Sequence, residues 1–132
     1  MKSVWVVDDD EEMTRAISLF LQLMECEPAS FFGARAAAKA LLAGRRPDLM
    51  ILDINMPEVS GLDLLEFMRR RSEWKHLPVV MLSSEAADIV VDKALELGAD
   101  GYVTKPVTLE ELERVMSEAY RKHQKGLETH VQ

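Results

Sequence analysis

Residues 48–57 read DLMILDINMP. Leu49 to Leu52 form an unbroken apolar run that ends on Asp53 and is followed by Met56-Pro57. A run this short, closed by a turn signal, predicts a strand buried on both faces rather than a helix. The same pattern recurs at Val4–Val7, Val79–Leu82 and Gly101–Thr104, with a weaker strand at 28–32, PASFF. Between these runs the apolar residues change to helical spacing, as at Met13, Ile17, Leu21 and Met24. Helices are predicted over 11–25, 34–43, 62–71, 86–97 and 109–125. Gly44 and Gly98 end two of them, and Thr108 with Glu111 forms a capping signal for the last. Strand and helix therefore alternate five times. Continuous rather than alternating apolar strands imply an α/β doubly wound parallel sheet with helices on both faces.

The 132 residues suit one domain over 1–125 followed by a polar tail or linker at 126–132, GLETHVQ. The charge of -7 disfavours direct nucleic-acid binding, which needs a basic face. Cys26 is the single cysteine, so no internal disulfide forms. No signal peptide or membrane-length apolar run is visible, and a cytoplasmic location is the expectation.

In a parallel sheet the C-terminal strand ends share one edge, where ligands of such folds bind. That edge collects Asp8, Asp9 and Asp10 from the first strand, Asp53 from the third, Ser83 and Ser84 from the fourth, and Lys105-Pro106 from the fifth. Clustered carboxylates repel unless neutralised. A divalent cation with oxygen ligands is the simplest neutraliser, and Mg²⁺ takes one or two carboxylates together with phosphate oxygens. Lys105 and the Ser83 hydroxyl suit phosphoryl oxygens, and Asp53, central on the edge, suits a nucleophile that forms an acyl phosphate. Taken singly, each has a plainer reading: Asp10 as a helix N-cap, Ser84 as the cap of the next helix, Lys-Pro as a loop. The eight methionines read as core packing, and His76, His123 and His130 as unrelated surface residues.

The chain resembles the receiver domains of two-component response regulators. The resemblance covers about residues 2–124 and is carried by VWVVDDDEEM, DLMILDINMPEVSGLDLL, PVVMLSSEA and GADGYVTKP. It implies a flavodoxin-like five-stranded sheet in the order 2-1-3-4-5. It implies Asp53 as the phosphorylated residue, Asp9 binding Mg²⁺ directly, Asp8 through water, and Asn55 through its backbone carbonyl. Ser83 and Lys105 would each hold a phosphoryl oxygen, Tyr102 would be the aromatic switch, and the bond before Pro106 would often be cis. A histidine kinase or histidine phosphotransfer protein would be the donor, in a direct pathway or a phosphorelay. The readout would be a target protein, an output domain or a phosphorylation-dependent homodimer on the face of helix 4, strand 5 and helix 5. Self-catalysed phosphoryl uptake and loss, not substrate turnover, is the expected chemistry. Ser60 stands where the family often has Asp, and Asn55 and Glu85 hold positions that in the family influence phosphoryl loss. The main rival is an aspartate-nucleophile phosphatase of the haloacid dehalogenase kind. That chemistry needs a second Asp two residues after the nucleophile, and the chain has Asn55 there.

Overall fold

The computed structural model describes residues 1–85 and 87–131, with side chains through residue 123. The elements alternate as the patterning predicts: β1 (Lys2–Val7), α1 (Glu11–Leu23), β2 (Cys26–Phe31), α2 (Ala34–Leu42), β3 (Leu49–Asp53), α3 (Gly61–Arg69), β4 (Val79–Ser83), α4 (Asp88–Glu96), β5 (Gly101–Thr104) and α5 (Leu109–Val131). All strand pairings are parallel, in the order β2-β1-β3-β4-β5.

Strand alternation sorts the core into two layers. Val4, Val6, Leu49, Ile51, Val80, Leu82 and Val103 face α1 and α5, where they meet Ile17, Leu21, Leu112, Val115, Met116 and Ala119. Trp5, Val7, Met50, Leu52, Val79 and Met81 face α2, α3 and α4. Both faces are covered, which is why the central strands carry no polar alternation. No described helix is long and apolar enough to cross a membrane.

Several element ends differ from the sequence reading, each for a local reason. β2 begins at Cys26 despite Pro28, because it pairs only with β1 and an edge strand tolerates a missing N–H. α1 stops at Leu23 because Glu25 adopts a left-handed backbone, φ 60°. Ser84 does not cap α4: the N-cap is Ala87, without a side-chain hydrogen bond. The expected start of that helix at Ala86 lies outside the described residues. α5 continues to Val131 past Lys125, since Gly126 alone costs a helix only about 1 kcal/mol. The side chains of the expected polar tail lie outside the described residues.

Ser60 closes the N-terminus of α3 with a reciprocal cap. Its hydroxyl accepts from Asp63 N at 3.2 Å, and the Asp63 carboxylate accepts from Ser60 N at 3.3 Å. Ser60→Ala is expected to lower stability by about 1 kcal/mol in urea denaturation, the usual worth of such a cap.

At the N-terminal edge of the sheet, Arg69 donates to Gly98 O, Trp74 O and Asp100 Oδ2. Asp100 Oδ2 also accepts from Val79 N and lies 2.9 Å from His123 Nε2. His123 is thus an element of a half-buried network rather than an unattached surface residue. The fold also brings its ring within 6.3 Å of His76, a proximity that their sequence spacing does not reveal.

Candidate phosphoacceptor site

Register assembles the site. β1 and β3 pair with Val6 opposite Ile51 and Val7 opposite Leu52, so one further step sets Asp8 beside Asp53. Both residues continue the row of Val4, Val6, Leu49 and Ile51, on the α1/α5 side of the sheet. Val103 lies on that same side, and two residues on Lys105 returns to it. Its Nζ stands 3.4 Å from Asp8 Oδ2 and 3.5 Å from Asp53 Oδ1. Asp8 and Asp53 are buried whereas Asp9 is exposed, and one carboxylate oxygen from each lies within 4.8 Å of the others. The Lys105–Pro106 peptide is cis.

Asp10 takes no part in this cluster. Its Oδ1 accepts from Glu12 N and Met13 N, so it caps α1. Asn55 is exposed, and its N–H donates to the Asp53 carboxylate. Ser83 follows the row of Val79 and Met81, so it leaves the sheet on the side opposite Asp53. Its hydroxyl is buried and accepts from Glu85 N at 3.0 Å. The Tyr102 hydroxyl donates to Glu85 O at 2.8 Å. One residue of the β4–α4 loop thus joins both, through backbone atoms that leave no signature in sequence. A cleft of about 630 Å³ opens beside this loop, bordered by Asn55, Met56, Glu85, Ile89 and Lys93.

The charge balance of the site is incomplete. Burial, reinforced by the neighbouring Asp8 carboxylate and partly offset by Lys105, pushes the Asp53 carboxyl up to about 6. Asp8 Oδ2 and Asp53 Oδ1 are buried with no hydrogen-bond partner among the described residues. Two unsatisfied carboxylate oxygens and a third carboxylate within reach fit a hard divalent cation bound through oxygen.

A stability prediction follows from Asp53. Its raised pKa means the folded chain binds that proton more tightly than the unfolded one. Metal-free stability therefore falls as pH rises from about 4 to about 6, and the ionised carboxylate costs on the order of 3 kcal/mol above that window. In chelator, Asp53→Asn is expected to melt higher than wild type at pH 8, with the difference shrinking at pH 5. Added Mg²⁺ should raise the wild-type melting temperature more than that of the variant. Equal pH profiles for the two proteins would exclude this account.

Comparison with known proteins agrees with the geometry. Residues 4–117 match the response regulator receiver domain family. The chain is 34% identical over 125 residues to the KDP operon transcriptional regulatory protein KdpE of Escherichia coli, covering 93% of this chain and 53% of KdpE. It is 32% identical over 110 residues to the polar-differentiation response regulator DivK of Brucella anthropi, covering 82% of this chain and 87% of DivK. The fold superposes on the Vibrio cholerae chemotaxis protein CheY4 with a TM-score of 0.81 at 30% identity, over 90% of this chain and 98% of CheY4. The chain therefore spans about half the length of KdpE and most of DivK.

Proposed function

The chain belongs to the response regulator receiver family, and from that premise we propose that it is a phosphorylation switch with Asp53 as acceptor. The donor is a histidine kinase or a histidine phosphotransfer protein. Asp9, Asp53 and the Asn55 backbone carbonyl would hold Mg²⁺ directly, and Asp8 through water. What supports the reading most is the pair of buried carboxylate oxygens, Asp8 Oδ2 and Asp53 Oδ1, without hydrogen-bond partners and beside Lys105. Mg²⁺ held there would supply the positive charge that neutralises the carboxylates and orients phosphoryl oxygens.

An Asp53 carboxylate oxygen attacks phosphorus in line. The phosphorus–nitrogen bond to the donor histidine breaks, and the released imidazole nitrogen is protonated from solvent. Lys105 pairs with one phosphoryl oxygen. Ser83 turns from the Glu85 amide to donate to another, which costs Glu85 one of its two anchors and leaves it held by Tyr102. The β4–α4 loop and Tyr102 then settle into a second arrangement, a local charge change biasing a two-state element. The surface built by α4, β5 and α5 carries the result to a target protein, an output domain or a second copy. Ile89 of α4 is 79% exposed and borders the cleft beside Asn55 and Met56, where it offers an apolar anchor.

A phosphatase of the haloacid dehalogenase kind finds no support, because residue 55 is an amide and cannot act as a general acid. The test is phosphoryl uptake from acetyl phosphate, located by mass spectrometry with and without Mg²⁺. Metal-dependent gain of one group on Asp53 is expected. Uptake that survives chelation, or that maps to another residue, overturns the proposal.

A further inference from the structure

The edge of the sheet opposite the carboxylates carries a second concavity, about 360 Å³, set between the end of α2 and the end of α3. Leu41, Leu42 and Trp74 form apolar parts of its wall, and Arg45, Arg46 and Arg71 surround them. In a chain of net charge -7, a local group of three guanidiniums is against the general trend. The chain has 23 acidic residues, yet among the described residues no carboxylate lies within ion-pair distance of Arg45 or Arg46. Arg46 makes one hydrogen bond, from Nη1 to the backbone carbonyl of Glu73, which leaves its other donors free.

Two of the three guanidiniums are also held in place. Arg45 lies over the rings of Trp5 and Phe31, at 5.4 and 5.6 Å from their centroids. Arg71 lies over Phe67 and Trp74, at 5.5 and 5.2 Å. Stacking fixes the planar donor fork at little further entropic cost when an anion arrives. The single acid of the pocket, Glu73, contacts Arg71 at 3.4 Å.

We propose that this pocket binds a small anion carrying two linked phosphate groups, gripped by Arg45, Arg46 and Arg71 with Glu73 as an internal competitor. A concave site of this volume suits a small molecule, whereas a macromolecular partner needs a broader surface. A free diphosphate and the diphosphate of a nucleotide share the recognised chemistry. The site lies about 17 Å from the carboxylates, the length of β3, so it is separate from phosphoryl uptake. Cations near the C-terminal end of α2 also complement the negative end of its dipole, and that role alone would alter stability without creating a ligand site.

The experiment is NMR titration of the full chain in chelator with inorganic pyrophosphate and, separately, with ADP. The expected result is saturable shifts of the amides around 41–46 and 71–74, for pyrophosphate alone if the ligand is a free diphosphate and for both if it is a nucleotide. Arg45→Gln/Arg46→Gln should weaken binding at least roughly 10-fold, with Arg45→Lys intermediate because the charge remains but the fork is lost. Glu73→Gln should tighten binding severalfold, a gain that a purely structural role for these arginines does not produce. Melting of each variant without ligand checks that it folds. No saturable shift up to roughly 10 mM, shifts confined to residues around Asp8 and Asp53, or equal binding by the arginine variants would overturn the proposal. Saturation by a poly-glutamate peptide where both phosphates fail would also overturn it and mark the patch as a protein-docking surface.

Discussion

With acetyl phosphate and Mg²⁺, the wild-type chain is expected to gain one phosphoryl group and Asp53→Asn none. The amide nearly matches the carboxylate in volume, so packing around β3 is retained, while the oxygen proposed as nucleophile and as metal ligand is lost. The neighbouring acids are otherwise engaged: Asp8 Oδ1 accepts from Asp10 N, and Asp10 is committed to the N-cap of α1. Asp9 is exposed, outside the buried pair that Lys105 addresses. The loss should be complete within detection, not a partial slowing. It should accompany the higher metal-free melting temperature argued above, because one substitution removes both the reactive group and the buried charge. An inactive variant that is also less stable would point to misfolding. An Asp53→Asn protein that still takes up one group at wild-type rate would remove the basis of the switch.

Legibility in sequence followed the kind of interaction involved. A strand covered on both faces must be apolar throughout, so β1, β3 and β4 were readable as short runs, and their parallel arrangement followed from the helices between them. The strand ends then located Asp8, Asp53, Ser83 and Lys105 on one edge, and β1–β3 register sets Asp8 next to Asp53. Interactions through backbone atoms were hidden. The link from Ser83 through Glu85 to Tyr102 uses the N–H and C=O of a residue whose side chain plays no part in either bond. Long-range charge clusters were hidden for a different reason. Arg69, Asp100 and His123 lie on three separate elements or turns, and only the fold gives them a common neighbourhood. Nothing in sequence spacing links Arg45 to Trp5, which the fold sets beside it.

Gly61→Ala is expected to be the most destabilising single-methyl addition near the site, at a cost on the order of 4 kcal/mol. Gly61 opens α3 and packs directly on the end of β3, with its N–H donating to Ile54 O at 2.9 Å. A Cβ there would stand 2.0 Å from Asp53 O, 2.8 Å from Asp53 C and 3.1 Å from Ile54 Cα. All three are backbone atoms, so no side chain can turn aside to make room. Either α3 moves off the sheet, losing packing by Leu64, Leu65 and Met68, or the peptide carrying Asp53 is displaced. In the second case phosphoryl uptake slows as well, since a misplacement of about 1 Å can cost roughly 100-fold in rate. Gly33→Ala is the matched control: its backbone is extended, φ -178°, and nothing lies within 4 Å of an added Cβ. As an N-cap substitution it should cost at most about 1 kcal/mol and leave uptake unchanged. Urea denaturation of both variants decides the matter, with acetyl phosphate uptake measured wherever the protein is folded. A Gly61→Ala protein no less stable than Gly33→Ala would mean that α3 does not press on the Asp53 peptide, and the close approach that fixes the acceptor in place would have to be abandoned.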